Sequence, residues 1–296
     1  MTKSGFVAIV GRPNVGKSTL LNTILDEKVA ITSNKPQTTR HKISGVLTRG
    51  ENQVVFIDTP GMHKAKDLLN RRIDKLAVST LRDVDAILFV VDKEYGLAEA
   101  HIIEYFKNVK VPVYLVINKI DRLAYKRGRI DLLILSYLNE FKFEGVFPIS
   151  AREDENVNHL IEELFANIKE GPHYYPSDMV TDQSDKTIMA EFVREKILKY
   201  TEEEVPHSAA VVIEKLEYNP EYKQLDIDVL IFVERDSQKA ILIGKNGSKL
   251  KEIGKEARLD LNLKFNTKTH LNIWVKVKKD WRNKQSDLNQ FGYGNE

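Results

Sequence analysis

Apolar and polar positions in the first 170 residues form two alternating kinds of stretch. Short β-branched apolar runs at 6–10, 54–58, 85–92, 113–118 and 146–149 predict buried strands. Between them, apolar residues recur at helical spacing over 17–26, 68–81, 98–107, 130–140 and 157–169. Such alternation predicts an α/β layer structure with a mostly parallel sheet and helices on both faces. Residues 43–48, with a turn over 49–53, predict an antiparallel edge hairpin. Residues 170–185 break the pattern with Gly171, Pro172 and Pro176 and carry neither period. Beyond them the order changes to helix (187–199), strands (207–216 and 224–234), helices (237–243 and 248–261) and strand (270–277). This αββααβ order predicts a smaller α+β domain. The expected boundaries are a first domain over 1–170, a linker over 171–185, a second domain over 186–280 and a terminal helix or tail over 281–296.

Composition narrows the function classes. At roughly 150 residues per domain, 296 residues suit two ordinary domains. The absence of cysteine excludes disulfides, cysteine nucleophiles and thiolate zinc sites, and fits a reducing, cytoplasmic setting. No apolar run is long enough to span a bilayer. The net charge of +2 is uninformative, but its distribution is not. Residues 239–284 carry 13 basic and four acidic side chains, whereas 185–238 carry seven and 13. A basic region within one small domain predicts a nucleic-acid partner.

Candidate chemistry begins directly after the first strand. Gly11, Arg12, Pro13, Asn14, Val15, Gly16, Lys17 and Ser18, with Thr19 following, form a GxxxxGK[ST] phosphate loop between strand and helix. Its backbone N–H groups can cradle phosphates, Lys17 supplies a point charge, and Ser18 can ligate Mg²⁺. The loop alone does not separate ATP from GTP. Asn118, Lys119 and Asp121 form NKxD at the end of a predicted strand, where open α/β sheets bind ligands. A carboxylate there accepts two N–H bonds from the guanine edge, which adenine cannot supply. Asp58, Thr59, Pro60 and Gly61 end another strand, with Asp58 placed to hold Mg²⁺ through water and Gly61 to meet a γ-phosphate. Ser150 and Ala151 end the last strand of this half and can reach the guanine oxygen through their backbone. Between these lie Gln37, Thr38, Thr39, Arg40 and His41, a candidate switch in which Thr39 is preferred over Thr38 as a Mg²⁺ ligand.

The order of these five elements resembles the GTPase class that includes Ras-like and Era-like proteins. One departure is Met62, where Ras-like proteins carry a water-orienting glutamine. Slow intrinsic hydrolysis, on the order of 10⁻⁴–10⁻³ s⁻¹, is therefore expected. In some relatives an asparagine at the Asn14 position accompanies a bound potassium ion, which the resemblance raises as a second cation here.

In the second half, Gly244, Lys245, Asn246 and Gly247 separate two predicted helices, followed by Ser248, Lys249 and Lys251. Glycines allow close backbone approach, lysines add charge, and the following helix offers free N–H groups to phosphate. In this element order the GxxG resembles a type II KH domain, which binds about four nucleotides of single-stranded RNA. Trp274 and Phe265 are candidate stacking residues, but both are expected in the core. The two halves together resemble the Era family of bacterial GTPases, through GRPNVGKS, QTTRH, DTPG, NKID, the Tyr174-Tyr175-Pro176 segment and GKNG. The resemblance implies a monomeric GTP/GDP switch that binds the 3′ end of 16S ribosomal RNA during assembly of the small ribosomal subunit, with weak peripheral membrane contact. The alternatives are a GTP-regulated RNA-modification factor and a non-hydrolysing, nucleotide-gated RNA-binding scaffold.

Overall fold

The computed structural model describes residues 2–35, 38–61, 67–122 and 127–294. Gln37 and Met62 lie outside them. The chain divides into two compact units, the first ending at Asp182. The second runs from Gln183 and takes in a short piece that ends at Arg72.

In the first unit the elements run β1 (Lys3–Val10), α1 (Lys17–Leu25), β2 (Ile43–Arg49), β3 (Asn52–Asp58), α2 (Leu68–Thr80), β4 (Ala86–Val91), α3 (Leu97–Phe106), β5 (Val113–Ile117), α4 (Arg127–Leu138), β6 (Gly145–Pro148) and α5 (Val157–Asn167). The strands form one sheet in the order β2-β3-β1-β4-β5-β6. All neighbours are parallel except β2 against β3. Both faces are buried, which explains the nearly unbroken apolar strands. Val7 and Ile9 of β1 pack with Leu20 and Leu21 of α1 and Leu160 of α5. Ala8 and Val10 face the opposite side, with Ala77, Ile103 and Tyr137 of α2, α3 and α4. The nucleotide motifs therefore gather at one edge of the sheet, at the carboxyl ends of β1, β3, β4, β5 and β6.

The segment expected as a linker is largely a strap on the first unit. Val180 accepts a backbone bond from Val46 (2.8 Å), and Thr181 Oγ1 donates to Ser44 O (2.7 Å). These bonds cap the open edge of β2. Gln53, fully buried, accepts from the Tyr174 and Tyr175 N–H groups and donates to Tyr175 O at 2.8–3.0 Å. Tyr174 also lies against Phe6, ring centroids 4.6 Å apart.

The second unit continues with α6 (Asp185–Tyr200), α7 (Val205–Ser208), β7 (Ala210–Asn219), β8 (Gln224–Val233), α8 (Asp236–Ile243), α9 (Ser248–Lys264), β9 (Lys268–Val277) and α10 (Gln285–Gln290). Its sheet runs β7-β8-β9, with β7 antiparallel and β9 parallel to β8. The strand expected from 207 begins only at Ala210, because Pro206 starts a helical turn in which Glu204 O accepts from His207 and Ser208. Helix α6 opens on a Ser184 cap to Thr187 N. It is buried along most of its length and carries an internal Arg194–Glu191 pair with bonds of 2.8 and 2.6 Å. The tail beyond 280 belongs to this core. Trp281 is fully buried, donates Nε1–H to Ser208 O (2.9 Å), and meets Phe291 and Tyr293.

Candidate functional site

The first unit holds a cleft of about 490 Å³ lined by residues of the phosphate loop, the candidate switch and NKxD. Asn118 makes it one site. Its Nδ2 donates to Val15 O (2.8 Å), while Oδ1 accepts from Lys119 N (2.8 Å) and Ala151 N (2.9 Å). One amide thus joins three motifs spread over more than a hundred residues. Gly16, at φ 101°, makes the junction sterically feasible. A Cβ there would lie 2.3 Å from Asn118 Nδ2.

At the base end, Asp121 lines the cleft and its Oδ1 accepts from Ser150 Oγ (2.8 Å). That bond fixes one oxygen of the carboxylate. The expectation for the Ala151 backbone changes, because its N–H is already given to Asn118 Oδ1. Lys119 Nζ reaches back to Asn14 O.

At the phosphate end, Lys17 Nζ donates to Gly11 O (3.2 Å) and Arg12 O (3.1 Å). Burial pushes its ammonium down to about 8, against the pull of Asp58. Ser18 Oγ donates to Asp58 Oδ2 (2.6 Å), and Thr39 Oγ1 lies 2.9 Å from Ser18 Oγ and 3.3 Å from the same carboxylate oxygen. Thr38 Oγ1 turns instead to Lys35 O (2.7 Å). Asp58 is fully buried, and burial raises its pKa despite Lys17 and the two hydroxyls. Its Oδ1 meets no hydrogen-bond donor among the described residues. Two hydroxyls and a carboxylate with an unused oxygen are a hard donor set that fits Mg²⁺.

Several expected nucleotide contacts point elsewhere. Thr59 is fully buried, and its Oγ1 donates to Ile9 O (2.8 Å). Pro60 is also buried. Arg12 turns away from the cleft toward Asp92 and Glu99. In the candidate switch, where no direct nucleotide contact was expected of them, Arg40 is buried and His41 half-buried, and neither lines the cleft. Gly61 does line it, packed so closely on the phosphate loop that a Cβ would lie 2.7 Å from Pro13 N. Motif reading missed Thr32, Arg122 and Arg152, all at the cleft wall, where Ser33 and Asn34, the start of the candidate switch segment, also lie. Asn34 O accepts from Asn14 Nδ2 at 2.5 Å. The only signal for them was adjacency to a motif.

In the second unit, Gly244 ends α8 at φ 73°, and Gly247 precedes α9 at φ 76°. A Cβ on Gly244 would lie 2.8 Å from Lys249 Cβ, whereas one on Gly247 would meet nothing within 4 Å. The second glycine therefore faces open space, and as the N-cap of α9 it brings no side chain to the helix's first N–H groups. Lys245, Asn246, Ser248 and Lys251 are exposed, and Lys249 is half-buried. Trp274, expected in the core, is 46% exposed on β9, a strand paired on one side only. Phe265, at the end of α9, is half-buried.

Cleft and glycine turn define a class: a guanine-nucleotide-binding P-loop protein that carries a KH-type domain. Residues 6–119 match the family model described as 50S ribosome-binding GTPase, and residues 204–282 match the KH domain. The chain is 48% identical over 295 residues to GTPase Era of Clostridioides difficile (strain 630), covering 99% of each. It superposes with TM-score 0.95 on a crystal structure of an Aquifex aeolicus Era variant bound to GDP·AlF₄⁻ (39% identity, 99% and 100% covered). A second structure, Era with MgGDPNP and nucleotides 1506–1542 of 16S ribosomal RNA, gives TM-score 0.95 at 38% identity, with both chains fully covered. The chain belongs to the Era family of GTPases.

Proposed function

We propose that this protein is a GTP-hydrolysing switch that binds single-stranded RNA, the 3′ end of 16S ribosomal RNA, during assembly of the small ribosomal subunit. The observation that carries the reading is one chain holding both an Asn118-joined cleft with Asp121 at its base end and a two-glycine turn whose second glycine, Gly247, faces open space. The relative crystallised with MgGDPNP and 16S RNA supports the choice of ligands.

In this reading Asp121 accepts the guanine edge, and the Lys119 stem covers the base. Lys17 and the loop amides receive the phosphates. Ser18 and Thr39 hold Mg²⁺, with Asp58 held in place by their hydroxyls. The ion supplies positive charge against the outer phosphate oxygens. Potassium has a candidate position beside Asn14 and the Asn34 carbonyl, which already lie together. At the RNA end, Gly244 and Gly247 bring the backbone close to the RNA backbone while Lys245, Lys249 and Lys251 neutralise phosphates. Trp274 offers an exposed ring for stacking. The reading also takes the protein as a cytoplasmic monomer. Peripheral contact with the inner face of the membrane rests on the family resemblance alone.

RNA binding tests the proposal directly. A short RNA with the 3′-terminal small-subunit sequence should bind the unsubstituted protein, and the double variant Gly244→Asp, Gly247→Asp should lose at least about tenfold in affinity, since it adds negative charge to the turn and strains it at two positive-φ positions. Equal affinity in both would remove the turn from the account.

A further inference from the structure

Arg12 and Lys119 are two cations that the nucleotide motifs bring to one place, and neither is left to neutralise itself. Arg12 Nη2 reaches Asp92 Oδ1 at 3.2 Å, and Lys119 Nζ reaches the other oxygen of the same carboxylate at 2.7 Å. Asp92 follows directly on β4, between the phosphate loop and NKxD. Arg12 is held from its other side by Glu99 of α3, an ion pair on Nε. Glu99 is 1% exposed, and neither of its carboxylate oxygens finds a hydrogen-bond donor among the described residues, so the contact with Arg12 is one of charge alone. The four side chains form a neutral chain, Glu99–Arg12–Asp92–Lys119, that ends on Asn14 O of the phosphate loop. Of the four, Lys119 lines the cleft, whereas Arg12, Asp92 and Glu99 do not.

We infer that Asp92 is a positioning residue for guanine-nucleotide affinity, bridging the base-recognition lysine to the phosphate-loop arginine; this rests on the guanine-nucleotide reading of the cleft. Its charge has two consequences. It fixes the Lys119 ammonium, so the lysine stem is already laid along the base position before nucleotide arrives, which lowers the ordering cost of binding. With Glu99, it also keeps the Arg12 guanidinium turned away from the phosphates, leaving Lys17 as the loop cation that meets them. Asp92 touches neither base nor phosphate and acts through Lys119 and Arg12. Removing its charge leaves two like charges facing one uncharged group. The acceptor for both would be weakened together.

Fluorescent-GDP binding and single-turnover GTP hydrolysis on the full chain test this, in Asp92→Asn, Lys119→Met, Arg12→Met and the paired variants. Asp92→Asn is expected to weaken GDP binding by about tenfold, mainly through faster dissociation. The single-turnover rate at saturating GTP should stay within about twofold, because the phosphate contacts remain. The affinity loss should largely vanish in the Lys119→Met background, the signature of action through that lysine. A loss that persists in full in both the Lys119→Met and Arg12→Met backgrounds would mean a merely structural role and overturn the inference. Unchanged GDP affinity in Asp92→Asn would overturn it as well. If the unsubstituted chain failed to bind GDP, the reading of the cleft itself would fall, and this inference with it.

Discussion

In the proposed reading, Asp121 carries base choice by one hydrogen-bond pattern. Its carboxylate, with one oxygen fixed by Ser150 Oγ, matches two adjacent N–H donors. Asp121→Asn replaces one acceptor oxygen with a donor. GTP affinity should therefore fall by about tenfold or more while xanthosine triphosphate gains, measured by competition against labelled GDP. Unchanged GTP binding would remove Asp121 from base recognition. At this scale the sequence was most legible where chemistry demands a residue type at a fixed spacing. Lys17, Ser18, Asp58, Asn118 and Asp121 were all visible that way. Pairings across the fold were not. Arg12 lies 80 residues from Asp92 and 87 from Glu99 in sequence, and no local period connects them. Thr59 shows a related limit. It lies inside a nucleotide motif, yet its hydroxyl serves the strand beside it. Ala151 shows the same limit, since only coordinates reveal that Asn118 has taken its N–H.

The strap and the tail show what periodicity cannot read at the scale of elements. A segment with neither a helical nor a strand period looked like a linker, yet irregular chain can satisfy an exposed strand edge through its backbone alone. Gln53 is the side chain that holds it, through three hydrogen bonds from a fully buried position. Gln53→Ala would leave two strap N–H groups without their acceptor and a void in its place. A loss of roughly 2–4 kcal/mol in denaturant-induced unfolding is expected, and a change below about 0.5 kcal/mol would show the strap to be held elsewhere. The tail was expected to follow the second domain, whereas Trp281, Leu288 and Phe291 are part of its core. Each such side chain contributes roughly 1.5–3 kcal/mol of burial. Truncation after Asp280 should therefore abolish cooperative unfolding of the second unit, read by calorimetry of the shortened chain. A retained transition at the same temperature would contradict this. The α/β alternation itself was legible because both faces of the first sheet are buried, which leaves long apolar strands between amphipathic helices. The helical turn at Pro206 intruded on the predicted order, where a proline's fixed φ outweighed the expected strand start.

Two ligand sites on one chain make a thermodynamic claim about the whole molecule. Where bound nucleotide alters the affinity for RNA, bound RNA must alter the affinity for nucleotide by the same factor. Thr39 and Gly61 stand at the phosphate end of the cleft, and in the proposed reading the segments that carry them are the elements expected to respond to a γ-phosphate. The absence of cysteine and the mixed charge bear on none of this, and whole-molecule behaviour was the part least legible in the sequence. Motifs identify sites, whereas coupling is a difference between states. The most direct test is GTP hydrolysis with and without a short single-stranded RNA from the 3′ end of small-subunit ribosomal RNA, in the unsubstituted protein and in Gly244→Asp, Gly247→Asp. The account predicts slow hydrolysis alone, stimulation by RNA, and loss of that stimulation in the double variant while its basal rate is kept. Stimulation that survives the variant, or its absence in the unsubstituted protein with RNA fully bound, would contradict a coupled switch and leave two independent modules on one chain.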